Sequence, residues 1–207
     1  MKKILLSILC AIMIVGLAGC GNSNNTDLTE NNDNLNNSEN QNSKTDFSNK
    51  LTFMGYDISY PSDAGKNSSD YGNLLGTSEY IVIVEAPSTA GILKEVSNIN
   101  DAPKVVEEYV LSTLEHKVRS LFNFDSTEQI TEKTTKTTKN GIEMLRAEGV
   151  FKNTRDNTEV EFVAYYLLAG DNGNMPVYLV GIPMKDSTIS IKNIMDEMSS
   201  HITKYKG

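Results

Sequence analysis

Residues Gln129 to Ile182 read QITEKTTKTTKNGIEMLRAEGVFKNTRDNTEVEFVAYYLLAGDNGNMPVYLVGI. This stretch decides the fold. Asn140-Gly141 is a two-residue hairpin signal, since both positions of a type I′ turn need positive φ. It joins a weakly alternating strand over Gln129 to Lys139 to a return strand over Ile142 to Lys152. Arg155-Asp156-Asn157 makes a second turn, before a strand over Glu159 to Leu168. Asp171-Asn172-Gly173-Asn174 makes a third, before Val177 to Ile182. Consecutive hairpins of this kind form an antiparallel meander.

Working outward, Asp101 is an N-cap residue with Pro103 in the first turn, where a missing N–H costs nothing. Val106, Val110, Leu114, Val118 and Leu121 then form one apolar stripe at helical spacing, with Glu107, Glu108, Glu115 and Arg119 mainly off it. A last helix is expected from an Asp186 cap, its face carrying Ile191, Ile194, Met195, Met198, Ile202 and Tyr205. Lys204 and Lys206 lie toward its C-terminus, where the helix dipole favours cations. Upstream, Thr52-Phe53-Met54 and Tyr56 to Tyr60 read as short strands around Gly55, and Pro61 ends the second. Ser62 to Ser78 reads as loop. Tyr80-Ile81-Val82-Ile83-Val84 is a continuous apolar run that suits a buried central strand. The order is β-β-β-α-β-β-β-β-α. The fold class expected is α+β, with a single antiparallel sheet of six or seven strands flanked by two main helices.

The N-terminus carries a different message. Met1-Lys2-Lys3 is a basic start, and Ile4 to Ala18 is an apolar run too short to span a membrane. It ends in Leu17-Ala18-Gly19-Cys20, which resembles the bacterial lipobox. The resemblance implies cleavage after residue 19 and a diacylglycerol on Cys20. Two or more acyl chains hold a protein stably on a bilayer. Residues 1–19 are thus expected to be a lipoprotein signal peptide, and 20–50 the lipidated cysteine with a disordered tether. Gly21 to Lys50 contains 11 Asn, 4 Ser and 5 acids, and only Leu28, Leu35 and Phe47 are large and apolar. Such a segment cannot collapse; as a coil it spans about 30 Å. Its Asn31-Asn32-Asp33-Asn34 run lacks the central Gly and closing Glu of a calcium loop. Residues 51–207 remain for the folded domain, ample for one core.

Charge and cysteine counts narrow the function classes. The net charge is −8; loss of Lys2 and Lys3 leaves 17 basic against 27 acidic residues, or −10. That disfavours nucleic acid as a general partner. Cys10 lies within the signal, so a mature chain holds Cys20 alone, which leaves neither an internal disulfide nor a cysteine-rich metal site.

Three passages carry a family resemblance. They are Gly55-Tyr56-Asp57-Ile58-Ser59-Tyr60-Pro61-Ser62-Asp63, the strand Ile81 to Glu85 followed by Asp101 to Val110, and the strand run Ile142 to Ile182 with its closing helix. Together they resemble the superfamily that includes PsbP, the Ran-binding Mog protein and bacterial lipoproteins such as DcrB. Ala64 stands where the family's opening signature often has an aromatic residue. The resemblance covers most of residues 51–207 and implies an antiparallel sheet flanked by helices. It also implies a mostly non-enzymatic family of assembly factors and binding modules, although fold alone does not transfer function.

Motifs for catalysis are missing: there is no GxSxG, SxxK, HExxH or GxxxxGK[ST]. His116 and His201 are the only histidines and suit boundary and capping roles. Lys133, Lys136 and Lys139 fall within seven residues and are a candidate docking surface for an acidic partner. The plainer reading is a lysine-guarded edge strand. Glu143, Glu148, Glu159 and Glu161 could pair across a hairpin to bind a cation or exchange protons, although carboxylates on a wet sheet face are commoner. Tyr165, Tyr166 and Tyr178 could line a pocket, though core packing suits them better.

The function expected is that of a non-catalytic, membrane-anchored envelope accessory or protein-binding module. No cofactor, no metal and no nucleic acid is expected. Its anchor is the lipid bilayer through Cys20, and its partner an envelope protein. The alternative is capture of a small ligand or cation between sheet and helix. Asn- and Lys-rich usage points to a Gram-positive source and the outer face of its cell membrane.

Overall fold

The computed structural model describes residues 45–206 except 69–71, 90–91 and 110. The expected signal peptide, Cys20, most of the expected tether and Val110 lie outside the described residues. The strands are β1 (Asn49–Phe53), β2 (Tyr56–Tyr60), β3 (Gly65–Ser68), β4 (Gly72–Gly76), β5 (Tyr80–Glu85), β6 (Ser88–Thr89) and β7 (Ile92–Leu93). Helices α1 (Ala102–Tyr109) and α2 (Leu111–Phe122) follow. Then come β8 (Thr127–Lys139), β9 (Ile142–Asn153), β10 (Glu159–Ala169), β11 (Met175–Pro183), α3 (Ile191–Ser200) and β12 (Ile202–Lys204). β6 and β7 form a small ribbon of their own.

Seven strands make one antiparallel sheet in the order β3-β4-β5-β11-β10-β9-β8. The meander behaves as its turns dictate. Asn140 and Gly141 take φ of 53° and 72°, and β8 pairs with β9 from Lys139↔Ile142 back to Thr127↔Asn153. β5 sits between β4 and β11, which explains its unbroken apolar run: both of its faces are covered.

The period of two then sorts the central strands into two cores. Val82, Val84, Val163, Tyr165, Leu167, Val177 and Leu179 face one way and meet Ile191, Ile194, Met195 and Met198 of α3. Ile81, Ile83, Phe162, Ala164, Tyr166, Tyr178, Val180 and Ile182 face the other and meet Val106 of α1 with Leu114 and Val118 of α2. Each fully buried aliphatic side chain contributes about 1.5–3 kcal/mol, so both faces are strongly committed.

The α+β class holds, but the sheet is not single. β1, β2 and β12 form a second, three-stranded antiparallel sheet, in which Ile58 of β2 pairs with both Leu51 and Ile202. Leu51, Tyr56, Ile58, Tyr60 and Ile202 join the core on the α3 side.

Three local expectations are corrected. The tract read as one helix is two, α1 and α2, and its cap is Asn98 rather than Asp101. Asn98 accepts a hydrogen bond from Asn100 N at 2.9 Å, opening a 3-10 turn (Ile99–Asp101) that runs into α1. The last helix is capped by Ser190, whose Oγ accepts from Asn193 N at 3.3 Å. Asp186 instead turns the chain at φ 66°. That helix stops at Ser200, so Ile202 and Lys204 lie in β12. Finally, the fold begins before Leu51: Phe47 packs on the core, and Asp46 O accepts from Ser62 N at 2.7 Å.

Candidate functional site

Two features stand out where β8, β9 and α3 meet: a polar cluster beneath α3 and the open edge of β8. The cluster follows from strand parity. Ile142, Met144, Arg146 and Glu148 share one face of β9, so two charges are carried into the α3 interface behind two apolar residues. Arg146 lies opposite Tyr165 in the β9–β10 register. Asp196 on α3 accepts from Arg146 Nε at 2.7 Å, from Arg146 Nη2 at 3.2 Å and from the Tyr165 hydroxyl at 2.6 Å. Arg146 Nη1 also donates to Glu148, whose second oxygen lies 3.1 Å from Lys192 Nζ. At the helix C-terminus, Lys139 Nζ donates to Asp196 O at 2.8 Å and to Ser199 Oγ at 2.7 Å. Asn140 Nδ2 donates to Ser200 O at 2.8 Å, so the β8–β9 hairpin tip is tied to the end of α3.

The electrostatics of this cluster are those of a fastening. The hydrogen bond from Arg146 holds the Glu148 carboxyl below the ordinary carboxylate range. Burial works against the Arg146 charge, but Asp196 and Glu148 outweigh it and keep the guanidinium more firmly protonated than usual. Burial first, and the bond to Asp196 second, push the Tyr165 hydroxyl up to about 12. These groups hold their protons, or do without them, well away from neutral pH. General acid–base work needs a group poised near the operating pH.

β8 is the other feature. It ends the large sheet, and among the described residues it pairs with β9 alone. A bulge interrupts the register between Thr131 and Lys133. Thr131, Glu132, Lys133, Thr134, Thr135 and Lys136 are all exposed, so both faces of this half-strand are wet. Its outer edge offers backbone N–H and C=O groups with no strand beside them.

The structure does not gather the three lysines into one patch. Lys133 lies opposite Glu148, on the α3 side, whereas Lys136 lies opposite Leu145, on the other face, 3.7 Å from Glu143. Lys139 is held by α3. The four glutamates do not converge either. Glu143 pairs with Lys136 near the hairpin tip and Glu148 joins the cluster, while Glu159 and Glu161 sit at the far end of the β9–β10 ladder. Tyr165 belongs to the cluster. Tyr166 and Tyr178 pack together on the opposite face, tilted by 35° with centroids 5.1 Å apart.

The histidines are on elements packed against opposite faces. His116 is exposed on α2. His201 follows α3, stacks on Phe47 at 5.5 Å and lies 3.1 Å from Glu197 Oε1. Arg146, Lys192 and Asp196 were not among the sequence candidates. The parity of Arg146 with Ile142 and Met144, together with the i, i+4 spacing of Lys192 and Asp196, is the signal that marks them. Among the described residues no group of three or more His, Cys, Asp or Glu is arranged to hold a metal ion, and no helix is long and apolar enough to cross a membrane.

No protein-family model and no curated protein matches the chain. Several solved structures are similar to it. One is the solution structure of cyanobacterial PsbP (CyanoP) from Synechocystis sp. PCC 6803, with 14% identity, 76% of this chain and 92% of that chain covered, and a TM-score of 0.48. Another is the crystal structure of LpqN, involved in cell envelope biogenesis of Mycobacterium tuberculosis, with 12% identity, 73% and 83% covered, and a TM-score of 0.42.

Proposed function

We propose that this chain is an envelope lipoprotein, anchored through Cys20, that works without catalysis by binding a protein partner along the open edge of β8. The six consecutive exposed residues on a terminal strand, Thr131 to Lys136, carry the reading. An extended segment of the partner adds as an eighth strand, its backbone taking up the free groups of β8 and its side chains giving specificity. The lysines set the choice of partner. Lys133 and Lys136 project from opposite faces of the edge, so a partner segment with one carboxylate on each face, three residues apart, is favoured. The lipobox at Leu17 to Cys20 supports the anchored location, and the lack of catalytic motifs supports a binding role.

Site-specific photocrosslinking in cells tests this. A photoreactive residue at Thr134 is expected to capture one protein, and the same residue at Lys66 on the opposite sheet edge is not. Capture is expected to fall with Lys133→Glu/Lys136→Glu and with Cys20→Ala. Equal capture from Thr134 and Lys66 would remove β8 as the docking element.

A further inference from the structure

On the sheet face away from α3, a cavity of about 240 Å³ lies between α1 and the strands. Pro103, Val106, Glu107, Gln129, Thr131 and Tyr166 line it. Its volume falls below the roughly 300–1,000 Å³ of drug-sized sites, so any guest is small. Val106 and Tyr166 are buried and give it an apolar floor, with Pro103 beside them. Beside the Thr131 and Tyr166 hydroxyls, which can donate or accept, it holds two acceptors of note. Gln129 Oε1 is buried and has no hydrogen-bond partner, and Glu107 places a carboxylate at the exposed mouth. The Tyr166 ring, packed at a tilt against Tyr178, adds an aromatic wall. Lysine, arginine and histidine are absent from the six lining residues.

The Gln129 oxygen and the Glu107 carboxylate call for a donor and a positive charge. A buried acceptor without a partner costs the desolvation it underwent on folding, and an N–H donor removes that cost. The Glu107 carboxylate attracts a cation, and the aromatic wall beside it tolerates one. A divalent metal ion does not fit, because calcium takes six to eight oxygen ligands and these walls do not supply them. We infer that the cavity binds a small primary ammonium compound. Its N–H donors go to Gln129 Oε1 and the Glu107 carboxylate, and its carbon chain lies on Val106, Pro103 and Tyr166. The Gln129 amide reaches the guest by turning about its terminal torsion, which is soft. The cavity meets the partner edge at Thr131, but its floor and acceptors belong to other residues, and a small soluble probe reads it without the partner.

The test uses the full-length ¹⁵N-labelled protein in detergent micelles, with n-butylammonium as probe and n-butanol as its neutral counterpart. Butylammonium is expected to shift the Gln129 side-chain amide and the Glu107 and Thr131 backbone amides, saturating with a Kd of about 1 mM for a guest this small. Butanol is expected to leave them unmoved. Glu107 is exposed, so Glu107→Gln keeps the fold and is expected to weaken butylammonium binding about fivefold or more, roughly 1 kcal/mol. Equal binding of butanol would overturn the inference, as would an unchanged affinity in Glu107→Gln. Shifts scattered over the surface, or none at these three residues, would overturn it too.

Discussion

Replacing Asp196 with alanine tests whether the polar cluster is a fastening or a solvated surface pair. The substitution removes three acceptor contacts: two from Arg146, at 2.7 and 3.2 Å, and one from Tyr165, at 2.6 Å. Hydrogen bonds to charged groups contribute about 1.5–3 kcal/mol each, which sets a ceiling of several kcal/mol. Two facts reduce it. The Asp196 side chain is 46% exposed, so water replaces part of what is lost. Arg146 also keeps its bond to Glu148. The expected loss is therefore about 2–3 kcal/mol, or about 4–12 °C in Tm for a domain of this size. Thermal and urea melts of the full-length protein in detergent measure it. Tyr165→Phe alone is expected to cost about 1 kcal/mol, and the double variant less than the sum of the two, with a coupling of roughly 0.5–1 kcal/mol. A loss below about 0.5 kcal/mol for Asp196→Ala, with no coupling to Tyr165, would refute the fastening.

Gly149→Ala is expected to loosen the β8 edge, because a Cβ there would lie 1.9 Å from Ile130 O; the urea midpoint should fall by the equivalent of about 2 kcal/mol, with faster amide exchange from Ile130 to Lys133. On the alkaline side, burial raises the hydroxyl pKa of Tyr56, Tyr80, Tyr165, Tyr166 and Tyr178. The raised folded pKa makes their contribution to stability complete below the ordinary value of 10.0; for Tyr165 it is lost as pH climbs through about 12. Absorbance at 295 nm should show these tyrosines ionising together with loss of the fold, not before it. On the acid side, Glu148 is depressed below 4.5, so its contribution is present above that pH and fades as pH falls through the lower folded value. The stability difference between the wild-type chain and Glu148→Gln should shrink over that same window.

The meander was legible because its turns and its alternation agree. Asn140-Gly141 fixes one register, and the strands from Ile142 to Pro183 fill both faces of the sheet as their composition requires. The segment from Ser62 to Ser78 was not legible as strand. Gly65-Lys66-Asn67-Ser68 is exposed throughout and pairs only because β4, held on the edge of β5, gives it a template. β12 was masked by a coincidence of spacing. Ile202 continues the i+4 step from Met198, yet β2 offers it an edge opposite Ile58, and pairing there prevails over another helical turn. The second sheet is invisible for the same reason, since it joins the two ends of the folded domain. Of the candidate site, the edge character of β8 could be read from its lysines and threonines. The splitting of Lys133 and Lys136 onto opposite faces needed the register, and the capture of Lys139 needed α3.

The most direct test of the central claim is capture by a photoreactive residue at Thr134 in cells, compared with one at Lys66. The account predicts a single partner crosslinked from Thr134, lost when Lys133 and Lys136 become glutamate, and no adduct from Lys66. A partner captured equally from both edges, or captured from Thr134 regardless of the lysines, would contradict it.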